Sequence, residues 1–137
     1  MKSAWVALIA TFAFAQSPAT VKQVMLDLIH PASNDILFFV NRGAPKTDAE
    51  WATVRRSALT LQESGDLLAM RNVQGDWAKD AKMLADIGAA GYQAAQAKDF
   101  NALAALTDSL DASCTTCHKQ YRPNVFPQSK RGQGGSK

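Results

Sequence analysis

Chemistry in this chain centres on one short stretch, Cys114-Thr115-Thr116-Cys117-His118. On a helix, residues three and four apart share a face, so Cys114, Cys117 and His118 project together. Two thioether bonds from the cysteines can then hold a porphyrin edge while the imidazole reaches the iron, and C-x-x-C-H is the attachment pattern of a c-type haem. Rival readings are weaker. A thioredoxin-like redox pair normally belongs to a strand–helix unit. A zinc site needs further Cys or His ligands, and the chain holds 2 cysteines and, besides His118, only His30. A disulfide between residues this close would close a tiny loop and stabilise little.

The placement of the motif limits the rest of the iron's coordination. No Met or His follows His118 in the sequence. A second strong axial ligand therefore has to come from upstream: Met25, Met70, Met83 or His30.

Amphipathic periodicity supplies four helical segments to position these groups. The first is expected over about Pro18–Asn41, with Met25, Leu28, Ala32, Ile36 and Phe39 on one face and Leu26, Ile29 and Leu37 on a second strip. Pro31 should bend or break it near His30. The second starts at a Thr47 or Asp48 cap and carries Trp51, Val54, Ala58, Leu61, Gly65 and Leu68. The third starts at Asp76, with Trp77, Ala81, Leu84, Gly88, Tyr92 and Ala95 as its stripe. The fourth, about Phe100–Arg122, aligns Leu103, Leu106 and Leu110 with Cys114 and Cys117, and Pro123 and Pro127 end the pattern. Short connections predict an all-α, antiparallel up-down-up-down four-helix bundle.

In that bundle the C-terminal end of the fourth helix lies level with the start of the first, the end of the second and the start of the third. At about 1.5 Å per residue, Met25 and His118 come to similar heights. Met25 also lies on the apolar face, which makes it the first candidate for the sixth ligand; an open sixth position is the alternative. Met70 and Met83 read as flexible core filler. His30 reads as a surface histidine with Asp27 one turn back to pair with it. No acid–base pair is foreseen beside Met25, which argues against an enzyme.

The ends of the chain carry different signals. Met1-Lys2, the apolar run Ala4 to Phe14 and Ala13-Phe14-Ala15 read as a signal peptide over 1–15, cut before Gln16. The domain then covers 16–127, and 128–137, basic and without an apolar side chain, is expected to be disordered. Export places the protein in the periplasm, with no membrane span in the mature chain. Losing Lys2 from a balance of 15 basic and 12 acidic residues leaves 14 against 12, or +2. So small a charge gives no ground for nucleic-acid binding.

The run from Cys114 to Arg122, together with the four-helix pattern and the leader, resembles the class II c-type cytochromes, the cytochrome c-prime group. The resemblance covers the mature chain apart from its tail. It implies a haem c packed between helices with His118 as proximal ligand, and a homodimer through the first helix; a broad buried face is the alternative reading of that helix. The family often carries Arg-Gln just before its distal residue. Lys22-Gln23-Val24-Met25-Leu26 stands there, so Lys22 would meet a haem propionate as a point charge, not as a planar fork. If Met25 faces the iron, the resemblance implies a six-coordinate electron carrier serving a periplasmic redox partner. If Leu26 does, it implies a five-coordinate haem that binds nitric oxide or carbon monoxide.

Overall fold

The computed structural model describes residues 18–125. The expected leader, its cleavage site and the expected tail lie outside the described residues, as does Pro127. Among the described residues every regular element is helical, and four helices pack together. None is long and apolar enough to cross a membrane. α1 consists of three consecutive runs: Val21–Gln23 (α), Val24–Ile29 (π) and His30–Asn41 (α). α2 is Asp48–Ala69 and α3 is Trp77–Ala97. α4 is Phe100–Ala105 followed by Thr107–Tyr121, divided at Leu106.

The starts of these helices are written in the sequence. Thr20 and Gln23 form a reciprocal capping box at α1, and Thr47 and Glu50 form a second at α2. Each satisfies two backbone donors that a helix N-terminus leaves open. Asp99 caps α4 through the backbone N–H of Ala102, at 3.0 Å. Glu50 does further work, since Arg42 reaches it at 2.6 Å while stacking over Phe38 and Phe39.

α2 and α3 make the most extensive contact in the molecule. They approach closely because Gly65 and Gly88 face the opposite backbone. A Cβ at Gly65 would stand 2.6 Å from the Ala85 nitrogen, and one at Gly88 would stand 2.8 Å from the Gln62 Cα. Around this pair the expected stripes are buried: Trp51, Val54, Ala58, Leu61 and Leu68 on α2, Trp77, Ala81, Leu84 and Ala95 on α3, and Leu103 and Leu110 on α4. α1 packs on α2, and the Thr107–Tyr121 run of α4 packs on α3. Val21–Ile29 and Thr107–Tyr121 make little direct backbone contact, which leaves a seam between the first and last helices.

Four expectations need correction. Pro31 does not break α1; helical bonding continues through it, with the π run immediately before. Leu28 is exposed while Ile29 is buried, the reverse of the expected assignment, because a wider turn shifts the helix phase. Met70 and Met83 are exposed side chains and not core filler: Met70 lies at the C-terminal cap of α2, and Met83 faces a surface groove on α3. His30 is exposed as expected, but its neighbour is the Asn34 side chain at 3.4 Å, one turn onward, and not Asp27.

Candidate cofactor site

The seam encloses an apolar cavity at the level of the Cys-x-x-Cys-His motif. Cys114, Cys117 and His118 line it from α4, and Met25 and Ile29 line it from α1. Leu68, Trp77 and Leu84 close its walls from α2 and α3. Four residues that the sequence singled out, more than ninety positions apart at the extremes, thus come to one place.

Local bonding fixes the motif's position. Trp77 donates its indole N–H to the Leu68 carbonyl at 2.6 Å, joining the start of α3 to the end of α2. Tyr121, three residues past His118, packs edge-on against Trp77 and donates its hydroxyl to the Gln74 carbonyl at 3.0 Å. On the other side, Arg71 donates to the Ala19 carbonyl at 2.7 Å and ties the entry of α1 to the same turn.

The cavity is a poor medium for charge. Burial pushes the Cys117 thiol up to about 11, with the charges of Asp80 and Cys114 adding to the effect. Burial, followed by the Asp111 charge, raises the Cys114 thiol. Burial and then the Arg122 cation lower the His118 imidazole. At neutral pH both sulfurs are thiols and the imidazole is neutral, the form in which it can ligate a metal.

Asp80 is the residue sequence reasoning missed. It lines the cavity from α3, is only 6% exposed, and its Oδ2 has no hydrogen-bond partner among the described residues. Its signal was faint: a carboxylate three residues after Trp77, next to the apolar stripe. Lys22 does not line this cavity. It lines a neighbouring one with Leu26 and Arg122, and Met25 is part of the wall between the two. Arg122 is a second cation there that the sequence reading had not assigned.

The donor set fits a covalently held haem. Two thiols and an imidazole share one face of α4, and a thioether lines the same apolar cavity from α1. No group of three or more His, Cys, Asp or Glu among the described residues could hold a bare metal ion. The space inside is about 40 Å³, room for a few waters at most. A flat macrocycle needs more room than this, and few contacts join Val21–Ile29 to Thr107–Tyr121 across the seam. No protein-family model, curated protein or solved structure matches the chain.

Proposed function

We propose that this protein is a monohaem c-type cytochrome of the class II, cytochrome c-prime type, working as a periplasmic electron carrier. One observation carries the reading: Met25, Cys114, Cys117 and His118 line a single apolar cavity. Cys114 and Cys117 would hold the haem through thioether bonds, His118 would be the proximal ligand and Met25 the distal one. The haem supplies one-electron exchange at its iron. If His118 and Met25 both stayed bound in either oxidation state, they would limit the reorganisation that accompanies that exchange. Lys22 and Arg122, which line the neighbouring cavity, would meet propionates if the haem edge emerged there.

The helix order in this proposal is antiparallel, up-down-up-down. Two pairings support it: Lys98, just past α3, reaches Asp48 at the start of α2 at 2.7 Å, and Trp77 meets Tyr121 at opposite ends of α3 and α4. The proposal includes a periplasmic redox partner and a homodimer through α1. Of the second strip, Leu26 is exposed, Leu37 half-buried and Ile29 buried, so Leu26 supports the dimer and Ile29 does not; sedimentation as a monomer at high concentration would remove it.

The exposure of Leu26 favours Met25 over Leu26 as the residue beside the iron, and so electron transfer over gas binding. The deciding experiment is an EPR and optical spectrum of the ferric and ferrous holoprotein, with and without carbon monoxide. A low-spin haem indifferent to the gas, turned high-spin by Met25→Ala, is expected. A high-spin wild type that binds carbon monoxide readily overturns Met25 ligation in favour of a five-coordinate, gas-binding haem.

A further inference from the structure

Among the described residues Asp80 is the only buried charged side chain, and the function given above leaves it without a role. Its place in the sequence explains how it comes inside. It stands three residues after Trp77 and four before Leu84, both buried on the cavity wall. At those spacings the three side chains share one face of α3.

A carboxylate held there lacks the partners that ordinarily accompany burial. Taking an unpaired charge out of water is costly, and buried charges are normally paired or bound to a metal. The Asp80 Oδ2 has no hydrogen-bond partner among the described residues. The Asp80 N–H donates to the Asp76 carbonyl at 2.8 Å. The start of α3 favours negative charge, yet it supplies no donor to Oδ2. Lys79 and Lys82, the cations nearest in sequence, are exposed, and Lys82 pairs with Asp86 at 2.5 Å. Lys22 and Arg122 line the neighbouring cavity.

The cavity that Asp80 lines is the one lined by Met25, Cys117 and His118, with about 40 Å³ of space inside. A group seated among these side chains therefore lies close to the carboxylate. Propionates aside, a haem core carries one net positive charge when ferric and none when ferrous. The charge that Asp80 lacks as a partner is the charge that the oxidised haem brings. Burial and then the Asp80 charge raise both the Cys117 thiol and the Tyr121 hydroxyl, so that charge is felt along α4 beside the motif. Buried charges are screened little by salt.

We propose that Asp80 is the buried counter-charge of the oxidised haem: its carboxylate favours the ferric state and holds the reduction potential down. The step it biases is the entry of one electron at the iron, with no bond to Asp80 made or broken. The role rests on the haem proposed above and not on the identity of the sixth ligand.

The test is a spectroelectrochemical titration at pH 7 of wild-type holoprotein, Asp80→Asn, Asp80→Ala and Asp76→Asn. Asp80→Asn removes the charge at nearly constant shape, and Asp80→Ala serves the same end should the amide disturb the haem spectrum. The potential is expected to rise by about 59 mV or more, a tenfold or greater shift of the one-electron equilibrium towards ferrous. The rise should persist in high salt. Asp76, exposed at the start of the same helix and without a side-chain capping bond, is the control for losing a charge. Water and salt screen that site, so Asp76→Asn should move the potential far less. A potential that is unchanged or lowered at Asp80, or raised no more than in Asp76→Asn, overturns the counter-charge role and leaves the haem reading standing. A purified chain whose optical spectrum shows no covalent haem overturns that reading, and the counter-charge role with it.

Discussion

The Trp77 and Tyr121 rings meet edge to face, with centroids 5.0 Å apart and planes at 86°. Tyr121 lies just past the Cys-x-x-Cys-His motif, and Trp77 opens α3 with its indole bonded to the end of α2. This one pair sets how the last helix sits against the two central ones at the level of the cavity.

Removing the Tyr121 hydroxyl should therefore cost stability without moving the helix. Tyr121→Phe loses the exposed hydrogen bond to the Gln74 carbonyl, the smaller of the two losses. Tyr121→Ala also loses the ring pair, about another 0.5–1.5 kcal/mol beyond the buried area. Urea unfolding of the two variants checks the order; equal losses would place the whole effect in the hydroxyl's hydrogen bond.

The closest helix approach gives a sharper contrast. Gly88→Ala would drive a Cβ into the backbone of Gln62 and Ala58, atoms that cannot swing aside. A loss of about 1–3 kcal/mol or more is expected. At Gly91 the nearest atom to a new Cβ is the Ala58 Cβ at 3.3 Å, and alanine's better helix propensity offsets up to about 1 kcal/mol of crowding. Thermal melts should rank wild type and Gly91→Ala close together, with Gly88→Ala well below both.

Acid stability follows from Glu50. The Arg42 hydrogen bond, then the backbone N–H of Lys46, hold its carboxyl below the ordinary value of 4.5. A depressed folded pKa contributes stability that is complete above that ordinary value and is lost as the pH falls through the lower folded one. Glu50→Gln keeps a side-chain acceptor for the capping box but cannot titrate. Its stability, measured by denaturant midpoint from pH 6 down to pH 2, should fall less steeply than that of the wild type.

The cysteines make a separate prediction for the chain with both thiols free. With both thiols raised by burial, iodoacetamide should react slowly at pH 7 and faster as the pH rises, with Cys117 reaching half its limiting rate near pH 11. Rapid reaction of Cys117 at pH 7 would mean that its apolar surroundings are open in solution.

Much of this arrangement was legible before any coordinates. Trp51 to Leu68 and Trp77 to Ala95 repeat at steps of three and four, and long helices packed on one face obey that period closely. The C-x-x-C-H spacing marks its three residues because their chemistry depends on one helical turn. α1 was misread where the period itself changes. A rule built on 3.6 residues per turn puts Leu28 inside and Ile29 outside, and nothing in Val24–Ile29 alone announces a five-residue bond. Pro31 was recognised as a disturbance; whether it kinks, breaks or widens a helix depends on what fixes the two ends. Asp80 escaped for a different reason. A charged residue beside an apolar stripe is ordinarily solvent-facing, and only the packing of α4 over α3 shows that this one is enclosed. Met70 and Met83 erred the other way: an apolar type predicts burial only when the helix face is known, and theirs point outward.

The close pairing of α2 with α3 bears on the order in which the molecule assembles. These helices are consecutive, joined by a short turn, and share the largest interface, so their contacts can form early and at little loop-closure cost. The seam between Val21–Ile29 and Thr107–Tyr121 joins the two most distant parts of the described chain and has few contacts to hold it. It is expected to close last and open first. Amide protons beside Met25 and Cys117 should exchange through sub-global openings that leave the α2–α3 hairpin intact, so a flat molecule could slip in edgewise without unfolding the core.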